Sequence, residues 1–397
     1  MDIRRLSLWE GRNATYMSNN MFSAVVEDQG DVVLEITSRG LSGARINALS
    51  LPYFRGTGAG VLSDENGPWW QNNESLYQAG GGYFTFPSVS GEGINSTDSS
   101  WILRRYGAEE NTGSVWRCSE LKSREEGNRY RLTKVDMILP DHPVLYTAVR
   151  MENRNDGDLY ATASWHSMLG FPAISAGTLI QSSARCWTAY EMGSRESGSG
   201  RFIPGTIFEE LRHAPLLRGG TADAGYIPSP TGTYDYLIGK TGEREKYSWI
   251  SVNNPSCQLM YFMMTPRRPL TEDEFVFPNV DLTENYLGRM DAPWALFDGA
   301  TPEVMALTAG FNTGPKGTKN LVLHKGESKV IYIANGFMSY ENPRMGLGVY
   351  TTDINEDGVL FKRTKSWAMM SMDTSFSALR ALTARLAASE EEERLNQ

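Results

Sequence analysis

Histidine is scarce in this chain: four in 397 residues, at positions 142, 166, 213 and 324. His166 sits in Ala163-Ser164-Trp165-His166-Ser167-Met168-Leu169-Gly170-Phe171-Pro172, a stretch that reads as a strand. On a strand Trp165 and Ser167 share one side and His166 takes the other. With a reference pKa of about 6.5, an imidazole transfers protons near neutral pH. A hydrogen-bonded core histidine fits the same pattern, and the local sequence leaves both readings open.

A second group of residues suits a ring-shaped ligand. Trp69, Trp70, Tyr77, Tyr83, Phe84 and Phe86 crowd a segment that contains Gly80-Gly81-Gly82. Aromatic faces cover the C–H faces of a sugar while polar neighbours bond its hydroxyls. The alternative is that these rings fill the space between two sheets. Arg39 and Arg45 suit a carboxylate or phosphate on a sugar acid or sugar phosphate, or else ion pairs with the chain's surplus of acidic residues. Asp353-Ile354-Asn355-Glu356-Asp357-Gly358 matches the first half of a calcium loop. The twelfth position is Thr364 where a bidentate Glu belongs, so an Asp-Gly hairpin turn is the reading favoured. No phosphate-cradling GxxxxGK[ST], no GxGxxG, no HExxH and no GxSxG is present, and no cofactor or metal is expected.

The elements that would position these residues are strands. Runs rich in Val, Ile, Leu, Tyr and Thr recur at Phe22–Val26, Asp31–Thr37, Tyr130–Leu139, Val144–Asn153, Tyr160–Met168, Tyr247–Val252, Gln258–Thr265, Val304–Phe311 and Lys329–Ala334. Turn residues separate them, as in Arg154-Asn155-Asp156-Gly157. Near the C-terminus Phe376, Leu379, Leu382, Thr383, Leu386 and Ala387 fall on one stripe, predicting a helix over about Thr374–Arg394 that ends in the acidic run Glu390–Glu393. A short helix is expected near Thr206–Leu211, and Ser194–Arg201 reads as a surface loop. No linker divides the chain, which predicts an all-β domain over 1–365 and a helical extension with an acidic tail over 366–397.

Composition narrows the partners. Lys and Arg number 38 against 47 Asp and Glu, a net charge of −9, which argues against nucleic acid. No apolar run approaches the roughly 20 residues that span a bilayer, so no membrane partner is expected. Met1–Asn20 has no apolar stretch of the signal-peptide kind, and Cys118, Cys186 and Cys257 are odd in number and widely spaced. Free buried thiols and a cytoplasmic location follow as expectations.

Four ordered segments resemble the aldose 1-epimerase (galactose mutarotase-like) superfamily, and are most similar to a bacterial branch of about this length. They are Leu34–Ile46, Leu76-Tyr77-Gln78-Ala79-Gly80-Gly81-Gly82-Tyr83-Phe84-Thr85-Phe86-Pro87, Val149–Asn155 with Trp165–Pro172, and Gly310-Phe311-Asn312-Thr313-Gly314-Pro315-Lys316-Gly317 with Leu323–Ser328. The resemblance implies a galactose mutarotase-like β-supersandwich of large antiparallel sheets, a small-molecule carbohydrate ligand and no cofactor. It implies His166 as general acid, and Arg39, Arg45, Trp70, Tyr77, Tyr83, Phe86 and Asn312 as substrate-binding residues. The family's late-chain glutamate falls on Ala309 when Pro315 and Gly317 are matched without gaps, and alanine accepts no proton. Glu284, Asp291 and Glu303 are then candidate bases. An epimerase-like isomerase is the leading expectation. A lyase or hydrolase acting on a modified sugar, with Tyr77 or Tyr83 carrying protons beside His166, and a non-catalytic sugar-binding protein are the alternatives.

Overall fold

β-Branched and aromatic residues that alternate with polar ones favour a pleated, half-buried backbone over a helix. The chain accordingly folds almost wholly as antiparallel strands. The computed structural model describes residues 1–9, 12–28, 30–39, 43–49, 63–64, 67–68, 81–86, 101–123, 129–191, 200–229, 231–286, 306–315, 318–339, 350–363, 366–371 and 376–395.

The larger sheet has twelve strands. In spatial order they are β1 (Asp2–Trp9), β2 (Arg12–Ser18), β3 (Phe22–Glu27), β4 (Val33–Arg39), β8 (Gly82–Thr85), β14 (Ser164–Leu169), β24 (Ala306–Asn312), β23 (Asn279–Tyr286), β20 (Thr233–Thr241), β16 (Ala184–Tyr190) and β17 (Ile207–Phe208), with β5 (Arg45–Asn47) paired to β4. The second sheet has eight: β15 (Leu179–Ser182), β21 (Tyr247–Asn254), β22 (Leu259–Pro266), β26 (Ser328–Ser339), β12 (Val144–Asn153), β11 (Tyr130–Ile138), β10 (Val115–Ser123) and β9 (Ile102–Ala108). Short ladders join β6 (Ser63–Asp64) to β7 (Gly67–Pro68), β13 (Leu159–Ala161) to β25 (Leu321–Leu323), and β18 (Ala214–Pro215) to β19 (Thr221–Ala222). A three-stranded sheet of β27 (Tyr350–Asn355), β28 (Gly358–Arg363) and β29 (Ser366–Ser371) precedes the helix α1 (Phe376–Leu395). No helix among the described residues is long and apolar enough to cross a membrane.

Two apolar layers hold this together. Between the sheets, Phe84, Trp165, Leu282 and Phe311 meet Leu132, Val149, Tyr261 and Ile333. On the far face of the second sheet, Val135, Tyr146, Phe262 and Tyr332 are covered by Phe361 and by Phe376, Leu379, Leu382 and Leu386 of α1. The helical stripe read from the sequence is therefore the buried face.

A cluster of charges also crosses between the sheets. The Arg117 guanidinium, wholly buried, binds Asp31 and lies 3.0 Å from Asp136 and 3.6 Å from Asp28. Lys134 Nζ lies 3.2 Å from Asp31 and 3.1 Å from Asp136. Asp28 and Asp31 flank the β3–β4 connection, whereas Arg117, Lys134 and Asp136 stand on β10 and β11.

Several expectations change. The run Tyr160–Met168 is two strands: β13 pairs with β25, and the chain then crosses to enter the larger sheet as β14. Thr206–Leu211 is not helical before its last residue. Ile207 and Phe208 pair with Thr188 and Trp187, because Phe208 is an inward strand residue, and one helical turn follows at Leu211–His213. Asp353–Gly358, by contrast, is the expected hairpin, with Asn355 paired to Gly358. The strand β29 begins at Ser366, so the boundary at 365 falls inside the three-stranded sheet. Cys118 is buried, but Cys186 and Cys257 are only half-buried. The loop Ser194–Arg201 lies outside the described residues except for Gly200 and Arg201.

Candidate functional site

Strand pairing builds the site from distant parts of the chain. His166 lies opposite Tyr83 on one neighbouring strand and opposite Gly310 on the other, and Gly310 lies opposite Asp281. Tyr83, His166, Gly310 and Asp281 therefore form one row across β8, β14, β24 and β23. Side chains alternate across a sheet. Trp165 and Ser167 point into the core, where Trp165 Nε1 donates to Ser167 Oγ at 3.2 Å, and His166 takes the opposite face.

The imidazole keeps 22 % of its surface exposed, whereas the Asp281 carboxylate beside it is buried. His166 Nδ1 stands 3.8 Å from Asp281 Oδ1. Glycine makes this approach possible. A Cβ on residue 310 would lie 2.2 Å from Asp281 Oδ1, 2.5 Å from the Trp165 carbonyl oxygen and 3.1 Å from His166 Nδ1. Asn312 Nδ2 donates to Asp281 Oδ2 at 2.8 Å, and Asn279 Nδ2 donates to Asn312 Oδ1 at 3.1 Å. Asp281 Oδ1 accepts no hydrogen bond from the described residues. Burial raises the Asp281 carboxyl above its ordinary value, while His166 and the Asn312 amide oppose the rise. On the other edge of the ring, His166 Nε2 and Ser164 Oγ are 2.8 Å apart, and Ser164 Oγ is hydrogen-bonded to Thr85 Oγ1. The Tyr83 ring lies 5.5 Å from the imidazole, centroid to centroid. The assembly is a solvent-reaching base with a buried anion on one nitrogen and a pair of hydroxyls on the other.

The residues singled out in the sequence divide three ways. His166, Tyr83 and Asn312 are brought together, although Tyr83 and Asn312 are both buried, Asn312 behind Asp281. Phe86 and Arg45 are placed elsewhere. Phe86 is fully buried, edge-on to Tyr130 with centroids 5.2 Å apart, so it is a core ring and has no surface for a ligand. Arg45 is exposed; its Nη2 donates to Ser23 Oγ at 2.6 Å and its guanidinium lies over the Tyr16 ring. Arg39 pairs with Arg45 across β4 and β5, and only its backbone is described. Trp70 and Tyr77, with Trp69, lie outside the described residues.

The candidate bases fare similarly. Ala309 packs in the intersheet core, so the position matched to the glutamate faces away from His166. Glu284 is on the interior face of β23, hydrogen-bonded to Arg201, and burial pushes its carboxyl up to about 8. Asp291 and Glu303 lie outside the described residues. Asp281, which the sequence reading missed, is the carboxylate that reaches the imidazole. The available signal was Asn279-Val280-Asp281-Leu282-Thr283-Glu284-Asn285-Tyr286, a run that alternates and holds an acid between two apolar residues.

Gly310→Ala tests this packing. The new methyl group meets backbone and a buried carboxylate rather than a flexible tip, so the protein is expected to lose about 1–3 kcal/mol of stability. Chemical denaturation measures the loss, and a change below about 0.5 kcal/mol would show that the row relaxes freely.

No protein-family model matches the chain, and no curated protein does either. Solved structures do. A galactose mutarotase-like protein from Clostridium acetobutylicum superposes with a TM-score of 0.55 at 10% identity, covering 86% of this chain and 99% of its own. A protein from Klebsiella pneumoniae, provisionally assigned as an aldose 1-epimerase, gives 0.55 at 12% identity, covering 82% of this chain and 79% of its own. A similarly assigned protein from Escherichia coli K12 gives 0.51 at 14% identity, covering 82% and 98%. At such identities the likeness speaks for architecture, and the architecture of this chain is the galactose mutarotase-like β-sandwich of large antiparallel sheets, closed by one C-terminal helix.

Proposed function

We propose that the protein is carbohydrate-active: an aldose 1-epimerase-like isomerase that moves protons on a sugar hemiacetal, with His166 as general acid. The observation that carries the reading is the solvent-reaching imidazole backed by the buried Asp281 carboxylate, on a fold shared with mutarotase-like proteins. The reaction needs a proton delivered to the ring oxygen by His166 and one taken from the anomeric hydroxyl by a base, for which Asp291 and Glu303 are the remaining candidates. The ring then opens, the C1–C2 bond turns, and closure gives the other anomer. Side chains alone supply such steps. Asp281 stabilises the imidazolium that forms when His166 holds a proton, and Ser164 with Thr85 offers a hydroxyl relay at Nε2.

Two observations favour a second reading, in which the protein binds a sugar without converting it. Asp281 stands 3.8 Å from His166, closer than the roughly 5–9.5 Å between carboxyls that flank one sugar bond. Ala309 is in the core. NMR exchange spectroscopy decides between them. Wild-type protein, added to a panel of neutral sugars, uronates and sugar phosphates, is expected to accelerate anomer exchange of at least one class. Exchange rates unchanged by protein across the panel, with binding retained, would establish the second reading.

A further inference from the structure

The far face of the second sheet carries a feature that the sugar chemistry does not use. Between α1 and strands β11 and β12 lies a cleft of about 430 Å³. Arg131, Thr133, Arg150 and Glu152 line its floor, and Ala384 and Ala387 of α1 line its wall. Towards the cleft α1 presents alanine methyl groups and Leu386, while Leu382 packs in the apolar layer beside it. Its volume is within the range of small-molecule sites.

Its charge runs against the rest of the protein. Glu120 binds three cations at once: Arg131, Arg104 at 2.7 Å and Lys122 at 3.0 Å. Burial alone would raise the Glu120 carboxyl, but Lys122, Arg131 and Arg104 hold it below its ordinary value. Glu152 binds Arg154 at 2.8 Å and lies 4.0 Å from Arg131. Arg150 has no carboxylate within ion-pair distance among the described residues. Its Nη2 and Nε donate only to Ser328 Oγ, at 2.9 and 3.3 Å. Among the described residues, Arg131, Arg150 and Glu152 line the cleft, and Arg104, Lys122 and Arg154 pair with Glu120 and Glu152 beside it, in a chain whose net charge is −9. A guanidinium is a planar fork of donors that matches an oxyanion in two-point contact. One neutral hydroxyl leaves most of that capacity unused.

We propose that this cleft binds a small organic oxyanion, a carboxylate or a phosphate monoester, whose charged end rests on Arg150 and Arg131 and whose apolar part rests on the alanine wall of α1. Such a ligand bridges the C-terminal helix to the second sheet. This site is on the opposite side of the second sheet from the core that underlies His166, and the proposal does not depend on the sugar reading.

The test uses the full chain and three probes that are not sugars: inorganic phosphate, glycerol 2-phosphate and succinate, each against sodium chloride at matched ionic strength. At least one is expected to raise the thermal midpoint and to slow amide hydrogen exchange over residues 383–388. Comparing phosphates with succinate identifies the preferred oxyanion. Arg150→Gln is expected to weaken that binding by about tenfold or more, since it removes the charge and the fork. Ala387→Leu, which fills the cleft with an apolar side chain, is expected to abolish it and checks the result should Arg150→Gln disturb folding. Responses no larger than those to sodium chloride, or equal in wild type and in both variants, would overturn the proposal.

Discussion

Replacing His166 with alanine is expected to lower protein-catalysed anomer exchange by roughly 10²–10⁴, the usual contribution of a positioned acid or base. Structurally the change is mild. The imidazole is on the face away from the core, and its loss takes a partner from Ser164, which keeps its bond to Thr85, and a neighbour from Asp281, which keeps its bond from Asn312. The circular dichroism spectrum and the denaturation midpoint should therefore stay close to wild type, which separates a catalytic effect from unfolding. Asp281→Asn is expected to cost less. At 3.8 Å the pair is held by charge and not by a hydrogen bond, and about 1.4 kcal/mol of lost attraction lowers the rate roughly tenfold. The two variants also differ in pH dependence. Burial raises the Asp281 carboxyl, so at low pH it is neutral and gives His166 no anion. Activity should rise with pH along a limb set above the ordinary aspartate value of about 3.9. That limb should be missing from Asp281→Asn. Wild-type rates from the His166→Ala protein would remove the imidazole from the mechanism.

The largest loss of stability is expected from Arg117→Met. Burial penalises the guanidinium, but Asp31, Asp136 and Asp28 outweigh that penalty and keep it charged. Removing it leaves three carboxylates facing Lys134 and Arg5, with Asp31 and Asp136 in the interior. Breaking a buried ion pair from one side costs about 3–5 kcal/mol, because an uncompensated charge stays behind. Urea denaturation of Arg117→Met should show a loss of this size. Adding Asp31→Asn to the variant should recover part of it by removing one stranded charge. A loss under about 1 kcal/mol in the single variant would mean that water reaches the cluster. The cluster also underlies the site: Lys134 Nζ lies 5.7 Å from the centre of the Trp165 ring, next in sequence to His166. A partial loss of anomer exchange in the folded fraction of Arg117→Met would show that support.

Much of this was legible from short-range patterns. Period-two alternation marked Tyr130–Ile138 and a run of strand formers marked Val144–Asn153, both almost to the residue, and the stripe from Phe376 to Leu386 marked the buried face of α1. Both signals arise from neighbours that share a face, which sequence spacing records directly. The orientation of His166 away from Trp165 and Ser167 follows from the same rule. What escaped was set by pairing between distant strands. Nothing local joins Asp281 to His166; the link is the register of β23 on β24 and of β24 on β14. Ala309 and Gly310 show how fine that dependence is, since one residue separates a core methyl from the gap through which acid and imidazole meet. Phe86 failed as a ligand contact for a related reason. Aromatic residues signal burial and binding alike, and only the facing sheet decides which. Nothing local marks Arg117 and Lys134 as buried, because a one-dimensional pattern does not show that a carboxylate meets them from the other sheet.

The row through Tyr83, His166, Gly310 and Asp281 has a consequence for biosynthesis. A ribosome releases the tyrosine early and the glycine late, so the row is incomplete in any nascent chain that stops short of β24. Until then β14 presents an unsatisfied edge where β24 will dock, the kind of edge that invites wrong partners. Maturation of this protein should therefore be all-or-none with respect to function. Shortened products are expected to aggregate rather than to retain a fraction of the activity.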